Sequence, residues 1–119
     1  MKKNNIKLDI VNLLDEIQNG KYSNIQLNYY FSKNNYTKKE KMFITNVINV
    51  VIKNLIYIDY LIGKSVRNVK KRKIKQLLRI SVAQLFFMES DNAGVIFEAG
   101  EIAKILNAHQ AGFVNATLQ

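Results

Sequence analysis

The sequence predicts an all-α protein, a single bundle of six to seven helices, and three observations support that fold class. The 119 residues contain no proline and only five glycines, so few positions would interrupt a helix. Apolar residues recur at steps of three and four along most of the chain, which is the spacing of one helix face. The length suits one hydrophobic core, and 48% hydrophobic with 23% charged residues is a globular balance. We therefore expect residues 1–119 to form one domain.

Two helices are predicted before the first polar loop. The apolar stripe of the first helix is made of Ile6, Ile10, Leu13, Leu14 and Ile17. The pair Asn19-Gly20 is typical of a helix end, because both residues tolerate a left-handed backbone. Ser23 is a suitable N-cap for a short second helix, and residues 33–36 are predicted to form the loop that follows it.

The next helix is predicted to begin at a capping box. Thr37 supplies the hydroxyl and Glu40 the carboxylate three residues later, just before an apolar run. That run is rich in isoleucine and valine, so a strand is an alternative. Its polar residues would line one stripe on a helix but scatter over both faces of a strand; they are Thr45, Asn46, Asn49 and Lys53. The pattern therefore favours a long helix, bent near Asn54 and ending at Gly63.

The C-terminal half of the chain predicts three more helices. After a polar, basic connection over residues 64–71, a helix follows whose second half is apolar all round, with Ile80, Phe86 and Phe87 outside its main stripe. This pattern predicts a central, buried helix. Residues 90–92 (Ser-Asp-Asn) offer an N-cap for an amphipathic helix, and a last short helix is expected from about Gln110 to the end.

Positive charge is concentrated in one quarter of the chain. The net charge is +9, and residues 60–88 hold eight basic residues and no acidic one. A basic excess of this size favours a polyanion partner, because neutralising phosphates releases counterions. The predicted RNA-binding residues are Lys70, Lys71, Arg72, Lys75 and Arg79, extended by Lys2 and Lys3, and by Lys7 if the first helix lies alongside.

A solvated basic helix face is the alternative interpretation of this cluster, with the stems of the long side chains covering apolar surface. Arg72, Lys75 and Arg79 share one face of the predicted helix and leave its leucine face for the core. Cations in a first helical turn oppose the helix dipole at a cost of a few tenths of a kcal/mol each. The placement therefore favours binding of a nucleic-acid backbone over helix stability alone.

Catalytic, cofactor-binding and metal residues are not predicted in this chain. It has no cysteine, and its one histidine, His109, lies in a predicted turn. The carboxylate pairs Asp15/Glu16 and Glu98/Glu101 are expected on solvated helix faces. Tyr22 and Tyr36, in predicted loops, are the aromatic candidates for stacking on unpaired bases.

A membrane partner is not expected either. The N-terminus has no uninterrupted apolar segment of the kind found in a signal peptide. The most apolar stretch, residues 42–62, includes three asparagines, a lysine and an aspartate, which a membrane span tolerates poorly. These features, together with the missing cysteines, favour a cytoplasmic protein.

Several segments occur in the order found in one known family. GKYSNIQL at residues 20–27 resembles a G-x-Y-S-N-x-x-L entry to a second helix, and IDYLI at 58–62 resembles the region that follows its third helix. Leu78-Arg79 with Gln84-Leu85, EAGEIAK at 98–104 and GFVNA at 112–116 continue the series. This ordered set resembles the NusB-like N-terminal domain of bacterial ribosomal-RNA cytosine-C5 methyltransferases, the RsmB or Sun group.

The resemblance implies a NusB-like helical bundle that binds ribosomal RNA and positions it for a catalytic domain dependent on S-adenosylmethionine. That methyltransferase domain is expected to follow residue 119, so the cofactor belongs to the parent protein and the domain is a further partner. Departures from the family pattern at Val50, Lys53, residues 92–94 and Phe97 put contacts made there in doubt. Two alternatives stay open: a free-standing NusB-type antitermination factor, and a scaffold whose basic face docks on its own catalytic domain.

Overall fold

Seven α-helices account for most of the residues that the computed structural model describes, which are 5–18, 23–65, 71–107 and 110–118. In chain order they are α1 (Ile6–Gln18), α2 (Ser23–Lys33), α3 (Lys38–Lys53), α4 (Leu55–Ser65), α5 (Arg72–Phe87), α6 (Asn92–Leu106) and α7 (Ala111–Leu118). No strand occurs in these ranges. The predicted all-α fold class and the helix count are confirmed.

The predicted capping box opens α3. The Thr37 hydroxyl accepts a hydrogen bond from the Glu40 backbone N–H at 3.1 Å, and the Thr37 backbone N–H donates to Glu40 Oε1 at 2.7 Å. Both contacts satisfy backbone N–H donors that would otherwise be unpaired at the helix start. The local sequence alone therefore fixes where α3 begins.

The predicted bend at Asn54 is a full break between two helices. Both the backbone N–H and the side-chain amide of Asn54 donate to the Val50 carbonyl, at 3.1 and 2.9 Å. α3 and α4 meet there at 76°. The predicted end at Gly63 is wrong, since α4 continues to Ser65.

In the described part of the chain, no single helix is long and apolar enough to cross a membrane. α3 and the first ten residues of α4, Leu55–Lys64, pass that test of length and composition only as a pair, which is bent by 76°.

Helix α5 is the central element, as predicted. It packs against α1, α3, α4, α6 and α7, and its residues Leu77, Leu78 and Ile80 are fully buried. The expectation that its second half is buried all round is wrong at the end, because Phe86 and Phe87 are exposed. The central helix therefore leaves an aromatic tip at the surface next to α4.

The last two helices pack against each other and against α5. Asp91 caps α6 as the sequence predicts, with its carboxylate accepting from the Gly94 N–H at 3.0 Å. α6 packs on both α5 and α7, and Val114 is the buried residue of α7. The predicted turn residue His109 lies outside the described residues.

Candidate nucleic-acid interface

The predicted basic cluster lies at the start of α5. Lys71 is the residue just before the helix and is exposed, and its side chain makes no capping hydrogen bond. Arg72 and Lys75 follow in the first turn, exposed and half-buried respectively. Lys2, Lys3 and Lys70 were also predicted, and they lie outside the described residues.

Arg72 is held by a carboxylate of α1. Its Nε donates to Asp15 Oδ1 at 2.8 Å and its Nη2 donates to Asp15 Oδ2 at 2.9 Å. The Arg72 side chain is 66% exposed, whereas that of Asp15 is 6% exposed. Asp15 was expected on a solvated face and that expectation is wrong. The bidentate pair ties α1 to α5, and two of the donors of Arg72 are already used.

Arg79 is buried, which corrects its prediction as an accessible phosphate contact. Nε and Nη2 each donate to one carboxylate oxygen of Asp59 at 2.8 Å, and Nη1 donates to Gln76 Oε1 at 3.2 Å. Its side chain is 8% exposed. Arg79 does share a helix face with Arg72, but α4 covers that face two turns along and brings its carboxylate to the guanidinium.

Lys7 is the second basic residue that the structure removes from the surface. It lies on α1 and is almost fully buried, with its ammonium 3.4 Å from the Val95 carbonyl oxygen of α6. Burial lowers the pKa of Lys7 to about 8, and the nearby Glu98 carboxylate opposes that shift. The expected extension of the basic face through Lys7 is wrong.

Three lysines remain as the accessible cations of this region. Lys71, Lys73 and Lys75 lie within the first turn of α5 or just before it, and none of them has an ion-pair partner among the described residues. Lys73 was not among the predicted site residues, although it is fully part of the same cluster. Free cations at a helix N-terminus are unfavourable for the helix, so this lysine cluster does not stabilise α5.

The exposed aromatic residues are not the ones that the sequence indicated. Tyr36 is buried, and its hydroxyl donates to Asp9 Oδ2 at 2.6 Å, so its prediction as a base-stacking residue is wrong. Tyr22 lies outside the described residues. Tyr57 and Tyr60 on α4 are exposed instead, and sequence reasoning missed them. Their spacing with Lys64, at steps of three and four, was the available signal, since it places all three on one face of α4.

In the described ranges, no group of three or more histidine, cysteine, aspartate or glutamate side chains is placed to hold a metal ion. Glu101 pairs with Lys104 at 2.9 Å on an exposed face of α6, in keeping with the solvated face predicted for it. The exposed groups of interest in this part of the chain are the lysine cluster of α5 and the two tyrosines of α4.

In the part of the chain that the structure describes, the fold is a bundle of seven helices with a cationic start to α5. The chain matches the NusB family over residues 5–119, and it belongs to that family. It is also similar to the protein named probable ribosomal RNA small subunit methyltransferase B of Bacillus subtilis (strain 168), with 31% identity over 125 aligned positions. That match takes in all of this chain and 28% of the relative, so the chain spans a little over a quarter of the relative's length. The family resemblance seen in the sequence is confirmed.

Proposed function

We propose that this chain is an RNA-binding domain that positions small-subunit ribosomal RNA for methylation at cytosine C5. The observation that supports it best is the lysine cluster of Lys71, Lys73 and Lys75, which is accessible and without carboxylate partners in the described residues. The similarity to a protein named as a ribosomal-RNA methyltransferase supports the choice of RNA. In this proposal the methyl transfer and the S-adenosylmethionine site belong to residues outside this chain.

The contact is proposed to be with phosphates rather than with base edges. Lysine ammonium groups act as point charges with little geometric selectivity, and contacts to phosphate carry no sequence information by themselves. Arg72 is not assigned as a primary contact, since a phosphate that recruited it would leave the buried Asp15 carboxylate without its partner. Choice of the RNA site must then come from another surface or from RNA shape.

The test is RNA affinity as a function of salt concentration. A fluorescein-labelled fragment of small-subunit ribosomal RNA is titrated with the protein, and fluorescence anisotropy gives the dissociation constant. We expect the logarithm of affinity to fall linearly with the logarithm of salt concentration, with a slope that loses about 0.7 for each single-strand phosphate contact removed. The test variant reverses all three charges: Lys71→Glu, Lys73→Glu and Lys75→Glu.

A matched control reverses three exposed lysines at the start of α3, which are Lys38, Lys39 and Lys41. It changes the net charge by the same amount and also acts at a helix start. We expect the α5 variant to lose at least about tenfold more affinity than this control. Equal losses in the two variants would mean that only overall charge matters and would refute the site. Undetectable RNA binding by the unmodified chain would refute the proposed function and favour the scaffold alternative.

A further inference from the structure

The outer face of α4 exposes large apolar and aromatic side chains beside the aromatic tip of α5. We call Ile56, Tyr57, Tyr60 and Phe87 the aromatic platform. Ile56 is 88% exposed, Tyr57 52% and Tyr60 58%, and Phe87 is also exposed. A contiguous group of this kind on the surface of a small domain is typical of an interaction site. The platform shares no residue with the lysine cluster of α5, so phosphate binding by those lysines does not explain why these apolar side chains are exposed.

The rings of the platform are held in a defined arrangement. Tyr57 and Tyr60 stack on each other, with ring centroids 6.2 Å apart and planes inclined by 25°. Phe87 from α5 contacts Tyr57 edge-on at 6.0 Å and 79°, which supports that ring from the neighbouring helix. Tyr57 and Tyr60 therefore present two nearly parallel rings, and Phe87 supports the Tyr57 ring. A further flat ring can stack on this pair.

Two cations lie near this stack, Lys64 on α4 and Lys53 at the end of α3. The Lys64 ammonium lies 5.1 Å from the centroid of the Tyr60 ring. Lys53, exposed at the end of α3, lines a groove of about 690 Å³ together with Tyr57 and Tyr60. The one carboxylate in the sequence of α4 belongs to Asp59, and both of its oxygens accept from Arg79. The face is therefore aromatic and cationic, with its carboxylate already neutralised.

We propose that the aromatic platform binds unpaired bases of single-stranded RNA, with Tyr57 and Tyr60 as the stacking residues and Lys53 and Lys64 as phosphate contacts. Stacked rings with lysines beside them match a strand that carries both flat bases and negative phosphates. A purely apolar protein partner would be expected to meet a face without cations beside the rings. The inference rests on the proposed function, because the same RNA would occupy the lysine cluster of α5.

The experiment separates base stacking from phosphate attraction by using two probes of equal length. One is a single-stranded RNA of about twelve nucleotides, within the range that a single-strand site covers, and the other carries abasic residues throughout its centre. We expect the unmodified protein to bind the base-bearing strand at least about tenfold more tightly than the abasic one. The variant Tyr57→Leu/Tyr60→Leu should lose that preference and keep its affinity for the abasic strand.

Tyr29 provides a matched control elsewhere in the chain. It is also exposed on a helix, and Lys33, four residues later, lies 4.9 Å from its ring centroid, but its neighbour Tyr30 packs against it edge-on at 77°. Tyr29→Leu should leave the preference for bases unchanged. Thermal unfolding of each variant shows whether the fold is retained, and the single variant Tyr60→Leu is the test to use if the double variant unfolds.

Tyrosine fluorescence supplies a second readout that a structural role would not move. The chain has six tyrosines and no tryptophan, so its emission reports on tyrosine alone. Saturation with the base-bearing strand should quench emission in the unmodified protein and far less in Tyr57→Leu/Tyr60→Leu. If the unmodified protein binds both probes equally well, or the double variant keeps the preference, the platform does not stack on bases and a protein partner becomes its occupant. Failure of the proposed function looks different, because then neither probe binds at all.

Discussion

Arg72 and Arg79 lie two turns apart on α5, and each donates two hydrogen bonds to one aspartate of a neighbouring helix. Their surroundings are opposite. In the first pair the aspartate is buried and the arginine is exposed, whereas in the second the arginine is buried and its partner Asp59 is 36% exposed. The hydrogen-bond distances in the two pairs are nearly the same. The pairs therefore differ in which of the two charges is buried.

This difference determines which residue each pair can lose. A charge that is buried and loses its partner keeps its desolvation cost with nothing to offset it, whereas an exposed charge that loses its partner is hydrated again. Arg72 therefore stabilises the protein by pairing with the buried Asp15 carboxylate, and Asp59 does so by pairing with the buried Arg79 guanidinium. Neither arginine is a cation without a partner, and this distinguishes both of them from the nearby lysine cluster.

The largest effect is expected for Asp59→Asn. This change leaves the Arg79 guanidinium buried with only the Gln76 amide and a neutral side chain as acceptors, and we expect a loss of about 3 kcal/mol of unfolding free energy. Arg79→Met should cost less, since Asp59 regains water. Urea unfolding of both variants gives the two values. An order reversed from this one would mean that packing of the arginine stem matters more than its charge.

The first pair should show the opposite order. Arg72→Met leaves the Asp15 carboxylate buried between α1 and α5 without its two donors, so this variant should unfold more easily than Asp15→Asn, in which Arg72 is free in solvent. The same urea measurement tests the order. Equal stability of the two variants would show that Asp15 finds other donors or water, and the comparison between the pairs would then fail.

The helices and their ends could be predicted from the sequence because they depend on nearby residues. The apolar spacing of α1, the capping box at Thr37, the break at Asn54 and the cap at Asp91 all act over four residues or fewer. Propensity and capping are interactions of this range, and a single sequence contains them directly. The predicted end of α4 and the predicted burial of the end of α5 were wrong, because both depend on packing between helices.

The site was predicted less well because its chemistry depends on residues far apart in the chain. Arg72 and Asp15 are separated by 57 residues, and Arg79 and Asp59 by 20. Residues 60–88 include no acidic residue, but the fold brings acidic partners to this stretch from α1 and α4. Tyr36 was expected at the surface because it lies in a loop, and its hydrogen-bond partner Asp9 is 27 residues away.

A smaller effect is expected for Tyr36→Phe, where the buried group is neutral and its partner is charged. The hydrogen bond from the Tyr36 hydroxyl to Asp9 should contribute about 1.5 kcal/mol. Burial and this hydrogen bond raise the pKa of Tyr36 above its usual value of 10.0. The contribution is therefore present below pH 10 and is lost as the pH rises through the raised pKa, because the unfolded chain ionises first. Urea unfolding of both proteins should show their difference shrinking above pH 10; a constant difference would contradict this assignment.

Lys7 is the limiting case of the comparison, a buried cation that has no carboxylate hydrogen-bonded to it among the described residues. Its ammonium has a long contact to the Val95 carbonyl, and burial lowers its pKa to about 8 from the usual 10.5. The unfolded chain then binds more protons between these values, so stability should rise as the pH increases through that interval. Lys7→Met removes the buried charge while keeping the length of the side chain, and we expect it to add about 1 kcal/mol near pH 7. That advantage should shrink towards pH 10, where Lys7 is neutral in the folded protein. Comparing the unfolding free energies of the two proteins at each pH cancels the contribution of the tyrosine titrations. A difference in unfolding free energy that does not vary with pH would mean that the Lys7 ammonium is hydrated between α1 and α6.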